Sequence, residues 1–149
     1  MEDVSLIREA IKARERSYSP YSGFMVGAAL LLKSGKVYLG CNIENAAYTP
    51  SNCAERTAFF KAVSEGESGF VSIAVAGWHK NSEPGYAYPC GVCRQVMMEF
   101  VDPADFKIIV AAGEHDYRIH TLTELLPNGF GPNNLICSSL AVKGKENII

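Results

Sequence analysis

Apolar residues return every three to four positions through residues 3 to 16. Val4, Ile7 and Ile11 share one face, Leu6 and Ala10 sit beside them, and charges lie opposite, which predicts an amphipathic helix. Residues 17 to 23, rich in Ser, Pro and Gly, read as a loop. The period then changes: residues 26 to 32 are almost continuously apolar, and residues 37 to 41 form a second β-type run. The link Lys33-Ser34-Gly35-Lys36 is too short for a crossover, so these runs form an antiparallel hairpin. A polar stretch, 42 to 52, carries Asn42, Glu44, Asn45 and Tyr48, the kind of strand-end loop that handles ligands. Residues 53 to 64 return to helical period, with Ala54, Ala58, Ala62, Phe59 and Val63 as a stripe and Gly66 and Gly69 as the stop.

The second half repeats this alternation. Residues 71 to 78 predict a buried strand and 80 to 89 a polar loop. Residues 90 to 101 predict a helix burying Val92, Val96 and Phe100, stopped by Pro103. Strands follow at 106 to 112 and 117 to 120, and the four-residue turn between them requires antiparallel pairing. Thr121-Leu122-Thr123-Glu124 is a capping box for a short helix that Pro127 closes. A Gly/Pro/Asn loop holding Phe130, a short helix over 135 to 142 and a frayed tail complete the chain. The element order predicts one three-layer α/β/α domain over 1–149 with a mixed five-stranded sheet.

Composition narrows the classes. With 149 residues the chain buries a core without needing metal or disulfides to fold. Its net charge of -2 offers no basic face for nucleic acid. The acidic start, Met1-Glu2-Asp3, is no signal peptide, and no apolar run reaches membrane length, so neither secretion nor a membrane partner is expected. Five cysteines without a secretory signal predict a reducing, cytoplasmic setting. Cys41 and Cys137 read as small buried hydrophobes.

Cys53, Cys90 and Cys93 carry the chemistry. Cys53-Ala54-Glu55-Arg56 and Pro89-Cys90-Gly91-Val92-Cys93 each open a helical pattern, so two positive helix ends would face one point and favour thiolates. Three soft ligands without a fourth predict a catalytic Zn2+ with an open position. Glu55, two residues from a ligand, is placed to move protons for a water activated there. Three thiolates make the metal electron-rich, and Arg56 could offset that by hydrogen bonding to sulfur. Plainer readings stand beside these. Cys90-x-x-Cys93 alone could be a redox pair, although such a pair has no use for Cys53 and Glu55. A closed structural zinc site would need His79, His115 or His120, none at finger spacing. Glu55 could cap its helix with Asn52, Arg56 could be a surface arginine, Phe24 core, Glu44 a solvated acid and Phe130 a loop plug.

These stretches, with Pro20-Tyr21-Ser22-Gly23-Phe24, residues 40 to 46, and Glu124-Leu125-Leu126-Pro127 before Phe130-Gly131-Pro132, resemble small homotetrameric zinc-dependent cytidine deaminases over residues 4 to 135. The resemblance implies pyrimidine salvage: cytidine and 2′-deoxycytidine become uridine and 2′-deoxyuridine with release of ammonia. A zinc-activated water attacks C4 and Glu55 shuttles protons. It implies Cys53, Cys90 and Cys93 as ligands, Asn42 and Glu44 on the ribose 3′-hydroxyl, Phe24 on the base, and Ala54 near the reacting centre through its backbone. It further implies sites at subunit interfaces, with Ala46, Tyr48 and Phe130 offered by a neighbour. The antiparallel turn at 113 to 116 suits a free nucleoside, since polynucleotide-acting relatives generally run that strand parallel. The departures are Asn52, where relatives often carry a larger residue, a long loop from Lys80 to Tyr88, and the tail after Val142. The rivals are a deaminase of a nucleoside-like antibiotic such as blasticidin S, which the Asn42 and Glu44 ribose pair opposes, and a nucleic-acid editing protein, which the charge opposes.

Overall fold

The computed structural model describes residues 1–135. Its elements are α1 (Asp3–Arg14), β1 (Phe24–Leu32), β2 (Val37–Cys41), α2 (Ala54–Ser64), β3 (Phe70–His79), α3 (Gly91–Phe100), β4 (Lys107–Ala111), β5 (Tyr117–Thr121), α4 (Leu122–Leu125) and α5 (Pro132–Leu135). The sheet order is β2-β1-β3-β4-β5. β1 pairs antiparallel with both β2 and β3. β3 and β4, joined through α3, run parallel, and β5 returns antiparallel to β4. The mixed five-stranded α/β sheet and both tight-turn pairings follow the sequence expectation.

The continuous apolar run in β1 has a simple cause: both faces of the sheet are covered. Ala29 and Leu31 point toward α1 and join Leu6, Ile7, Ala10, Ala74, Ala76 and Ile109. Ala28, Leu30 and Leu32 point the other way, into a larger cluster with Ala58, Phe59, Ile73, Met97, Phe106 and Leu122. Phe59 is its centre, with ring centroids 5.0 Å from Phe70 and 6.0 Å from Phe106. Gly40 of β2 brings the start of α2 onto the sheet. A Cβ there would stand 2.2 Å from the Ala54 carbonyl oxygen, so any larger residue would push α2, and the motif it carries, outward.

Several expectations are corrected. In α3 the buried residues are Cys93 and Met97, while Val92 and Phe100 are exposed and Val96 is half-buried. Cys93 turns inward toward Cys53, and that fixes the helix phase one step away from the Val92 stripe. Phe100 still stacks on Phe59 at 6.1 Å. Asn52 does not cap α2: Cys53 holds the N-cap position, and the Asn52 amide donates to Thr57 Oγ1 at 3.2 Å. Cys41 is half-buried rather than buried, its thiol donating to the Arg16 carbonyl at 3.3 Å. The Thr121–Glu124 capping box forms as expected. The short helix α5 forms at Pro132–Leu135, mostly within the stretch expected to be a loop; of the helix expected over 135 to 142 only Leu135 is described, and Cys137 and the tail lie outside the described residues.

Candidate active site

Cys53 and Cys90 are the N-caps of α2 and α3, both with extended backbone, so the two chain segments enter their helices side by side. Their Sγ atoms are 3.7 Å apart, and those of Cys53, Cys90 and Cys93 all lie within 4.8 Å of one another. Four tetrahedral ligands at a Zn–S distance of about 2.3 Å would be separated by about 3.8 Å, so the sulfur triangle fits zinc. Among the described residues no histidine joins the cluster. A lone Cys-x-x-Cys redox pair does not account for the third sulfur.

The electrostatics favour a cation. The Cys53 thiol is pulled down to about 5 by a hydrogen bond from the Cys93 thiol, helped by Arg56 and Cys90 and opposed by burial. The Cys93 thiol is pushed up, because its proton is held by Cys53 and because it is buried. Cys90 Sγ accepts from the Cys93 amide at 3.4 Å, the orientation of a helix N-terminus toward negative charge. Arg56 donates through Nη2 to Cys53 Sγ at 3.4 Å. The surface reading of Arg56 therefore fails: the residue is half-buried and its guanidinium lies on sulfur.

Glu55 sits in the first turn of α2 with 4 % of its surface exposed. Burial, assisted by the negative charge of Cys53, pushes its carboxyl up to about 7. A carboxyl poised near neutrality is suited to take and return protons. It opens on a cavity of about 250 Å³ that Phe24, Asn42, Cys53, Ala54 and Cys90 also line. Phe24 is at the rim and 40 % exposed, so it is no core residue. Asn42 rivets the wall: Oδ1 accepts from Ser17 Oγ and the Val26 amide, and Nδ2 donates to the Phe24 carbonyl at 2.8 Å.

Glu44 behaves differently from the cavity residues. Its Oε1 accepts from the amides of Tyr21 and Ser22, at 3.0 and 3.2 Å. The Ser22 side chain and these amides hold its carboxyl below the ordinary value. Glu44 is not a solvated acid; it shapes the loop that presents Ser22 and Phe24. Ala46, Tyr48 and Phe130 are exposed and do not line this cavity. Tyr48 holds a left-handed φ of 59°, a strained setting for a bulky residue, and Phe130 is 58 % exposed. Ser22, Ala87 and Tyr88 line the cavity without any sequence signal beyond their nearness to Phe24 and Cys90.

Residues 1–110 match the family model for the zinc-binding region of cytidine and deoxycytidylate deaminases. The chain is 53 % identical over 130 residues to a cytidine deaminase of Halalkalibacterium halodurans, covering 87 % of this chain and 95 % of that one. It is 47 % identical over 135 residues to one of Sporosarcina psychrophila, covering 91 % and 96 %. The crystal structure of a cytidine deaminase from Burkholderia pseudomallei superposes with a TM-score of 0.80 at 45 % identity, over 87 % of this chain and all of that one. Sulfur triangle, buried carboxyl, sheet order and sequence agree, and the chain belongs to the cytidine deaminase family.

Proposed function

We propose that this single-domain protein hydrolyses cytidine and 2′-deoxycytidine to uridine and 2′-deoxyuridine, releasing ammonia, in cytoplasmic pyrimidine salvage. The observation that carries the reading is a carboxyl poised near neutrality beside three convergent sulfurs at one cavity. Cys53, Cys90 and Cys93 would hold zinc. When bound, zinc supplies the Lewis acidity that makes water nucleophilic near neutral pH. Glu55 would take one proton from that water and deliver it to ring N3 as the oxygen bonds to C4. It would then carry the second proton, left on the C4 hydroxyl, to the amine, so that the C4–N bond breaks, ammonia leaves and C4 becomes a carbonyl. Arg56 tempers the charge of the sulfurs through its bond to Cys53. Phe24 packs on the base, Asn42 and Glu44 orient the ribose 3′-hydroxyl, and the Ala54 backbone contacts the reacting centre.

The exposure of Ala46, Tyr48 and Phe130 supports a homotetramer in which a neighbour contributes them. An aromatic more than half exposed in a Gly/Pro loop has something to gain from being covered. Among the described residues no helix is long and apolar enough to cross a membrane. Metal analysis with a cytidine absorbance assay tests the reading: about one zinc per chain and loss of the cytidine absorbance are expected. Cys90→Ala loses both metal and turnover; full zinc occupancy in that variant contradicts the ligand assignment.

A further inference from the structure

Residues 83–90 contain no helix or strand, yet Ala87 and Tyr88 line the cavity beside Cys90. Side chains from outside hold them there. The Arg118 guanidinium on β5 lies 4.1 Å from the centre of the Tyr86 ring. Its Nη1 donates to Tyr88 Oη at 3.1 Å. Tyr86 donates to the Asp116 carboxylate, and the Tyr88 ring rests against His120 with centroids 5.5 Å apart. From the opposite side Ala87 closes on Gly77 of β3, where a Cβ would stand 2.9 Å from the Ala87 Cβ. Three successive residues are thus clamped alternately toward β5, β3 and β5. One arginine grips both tyrosines.

We propose that Arg118 is a positioning residue, which fixes the Tyr86–Tyr88 wall of the cavity and so sets how well a nucleoside base fits beside Cys90. The proposal rests on the deaminase reading above. Arg118 is an exposed residue of an edge strand and does not line the cavity, so it acts only through the two tyrosines. An irregular segment fixed in advance spares the ligand the entropy of ordering it. The benefit therefore belongs mainly to binding: Glu55 and Cys53 stand at the start of α2, and Cys90, the last residue of the segment, is also anchored as the N-cap of α3, its sulfur accepting from the Cys93 amide. Arginine suits the task, since its planar head can stack on Tyr86 while an edge N–H reaches Tyr88; lysine cannot do both.

The test uses the zinc-loaded enzyme. Arg118→Ala should raise the KM for cytidine about tenfold, a stacking contact and a hydrogen bond being lost together, with kcat changed less than about twofold. Arg118→Lys should recover only part of the loss. Combining Arg118→Ala with Tyr86→Leu should cost little more than the worse single change, because both break one clamp. In substrate-free protein, amide hydrogen exchange across 85–88 should quicken in Arg118→Ala while α2 and α3 keep their protection. If Arg118→Ala misfolds, Tyr88→Phe deletes only the hydroxyl that Arg118 grips and should raise KM by a smaller factor. Unchanged KM with unchanged exchange, or additive losses in the double variant, overturns the proposal. A wild-type protein that turns over no cytidine overturns the functional reading instead, and the exchange result still decides the clamp.

Discussion

Two arginines, one on each face of the sheet, show how differently the two layers are built. Arg14, at the end of α1, is 6 % exposed and every nitrogen is used. Nε donates to the Met25 carbonyl and Nη2 to that of Trp78, both at 3.1 Å; Nη1 meets Glu15 at 3.5 Å; the head lies 4.1 Å from the Trp78 ring centre. Burial lowers its affinity for the proton without discharging it. Arg56, on α2, donates to Cys53 sulfur, and its buried Nε has no partner among the described residues. The α1 face closes its polar accounts within the fold. The α2–α3 face leaves Arg56 incomplete and keeps a buried carboxyl beside a cavity. A buried carboxyl opening on a cavity beside three sulfurs is what marks this face as the place where a ligand is handled.

Four substitutions can break or sharpen that contrast. The largest stability effect is expected at Phe59, because the α2–α3 face is also the main core. Phe59→Ala should cost about 3–5 kcal/mol in denaturant unfolding, and a loss below 1 kcal/mol would mean the aromatic cluster is not its anchor. The next concerns pH. The folded Glu55 carboxyl binds its proton up to about 7, against an ordinary 4.5. Between those values the folded state holds more proton than the unfolded state, so this group's contribution to stability falls as pH rises and is level above the window. After chelation, wild type should lose on the order of 3 kcal/mol relative to Glu55→Gln as pH rises from about 4.5 to about 7. Parallel pH profiles of the two would contradict the buried, poised carboxyl. The difference between the two proteins is needed because Cys53, drawn down to about 5, shifts stability the opposite way.

The arginines themselves give the smaller and most direct comparison. Arg56→Ala should slow turnover roughly 10- to 100-fold with little change in unfolding. Arg14→Ala strands the carbonyls of Met25 and Trp78 and should cost about 1–3 kcal/mol of stability, while the folded fraction keeps its turnover. Swapped phenotypes would erase the distinction between the two faces.

Much of this was legible in the residues. Loop lengths alone fixed both antiparallel pairings, and the double-sided burial of β1 was visible in its unbroken apolar run. Cys53, Glu55, Cys90 and Cys93 announced themselves by spacing. The phase of α3 did not, because Val92 and Phe100 are as apolar as the residues that are buried, and only the meeting with Cys53 decides which way the helix turns. Asn52 looked like a cap by type, but Ile43 pairs with its backbone and Thr57 takes its side chain. Glu44 was legible as important yet not as the organiser of residues 21 and 22. The cavity wall at Ala87 and Tyr88 follows no period, and Arg118, which grips it, lies thirty residues from Tyr88 along the chain. Contacts of that range are set by topology rather than by local pattern.

The central claim is that Glu55 moves the protons while the cysteines hold the metal, and Glu55→Gln tests it most directly. The amide keeps the shape of the side chain but cannot carry the exchanging proton. Zinc content, cytidine binding and single-turnover rate should be measured on the same preparation. The expected result is a folded protein with a full complement of zinc and near-normal cytidine affinity whose turnover falls by at least about 10²- to 10⁴-fold. Near-normal turnover in zinc-loaded Glu55→Gln would contradict the assignment, even with all three sulfurs on the metal.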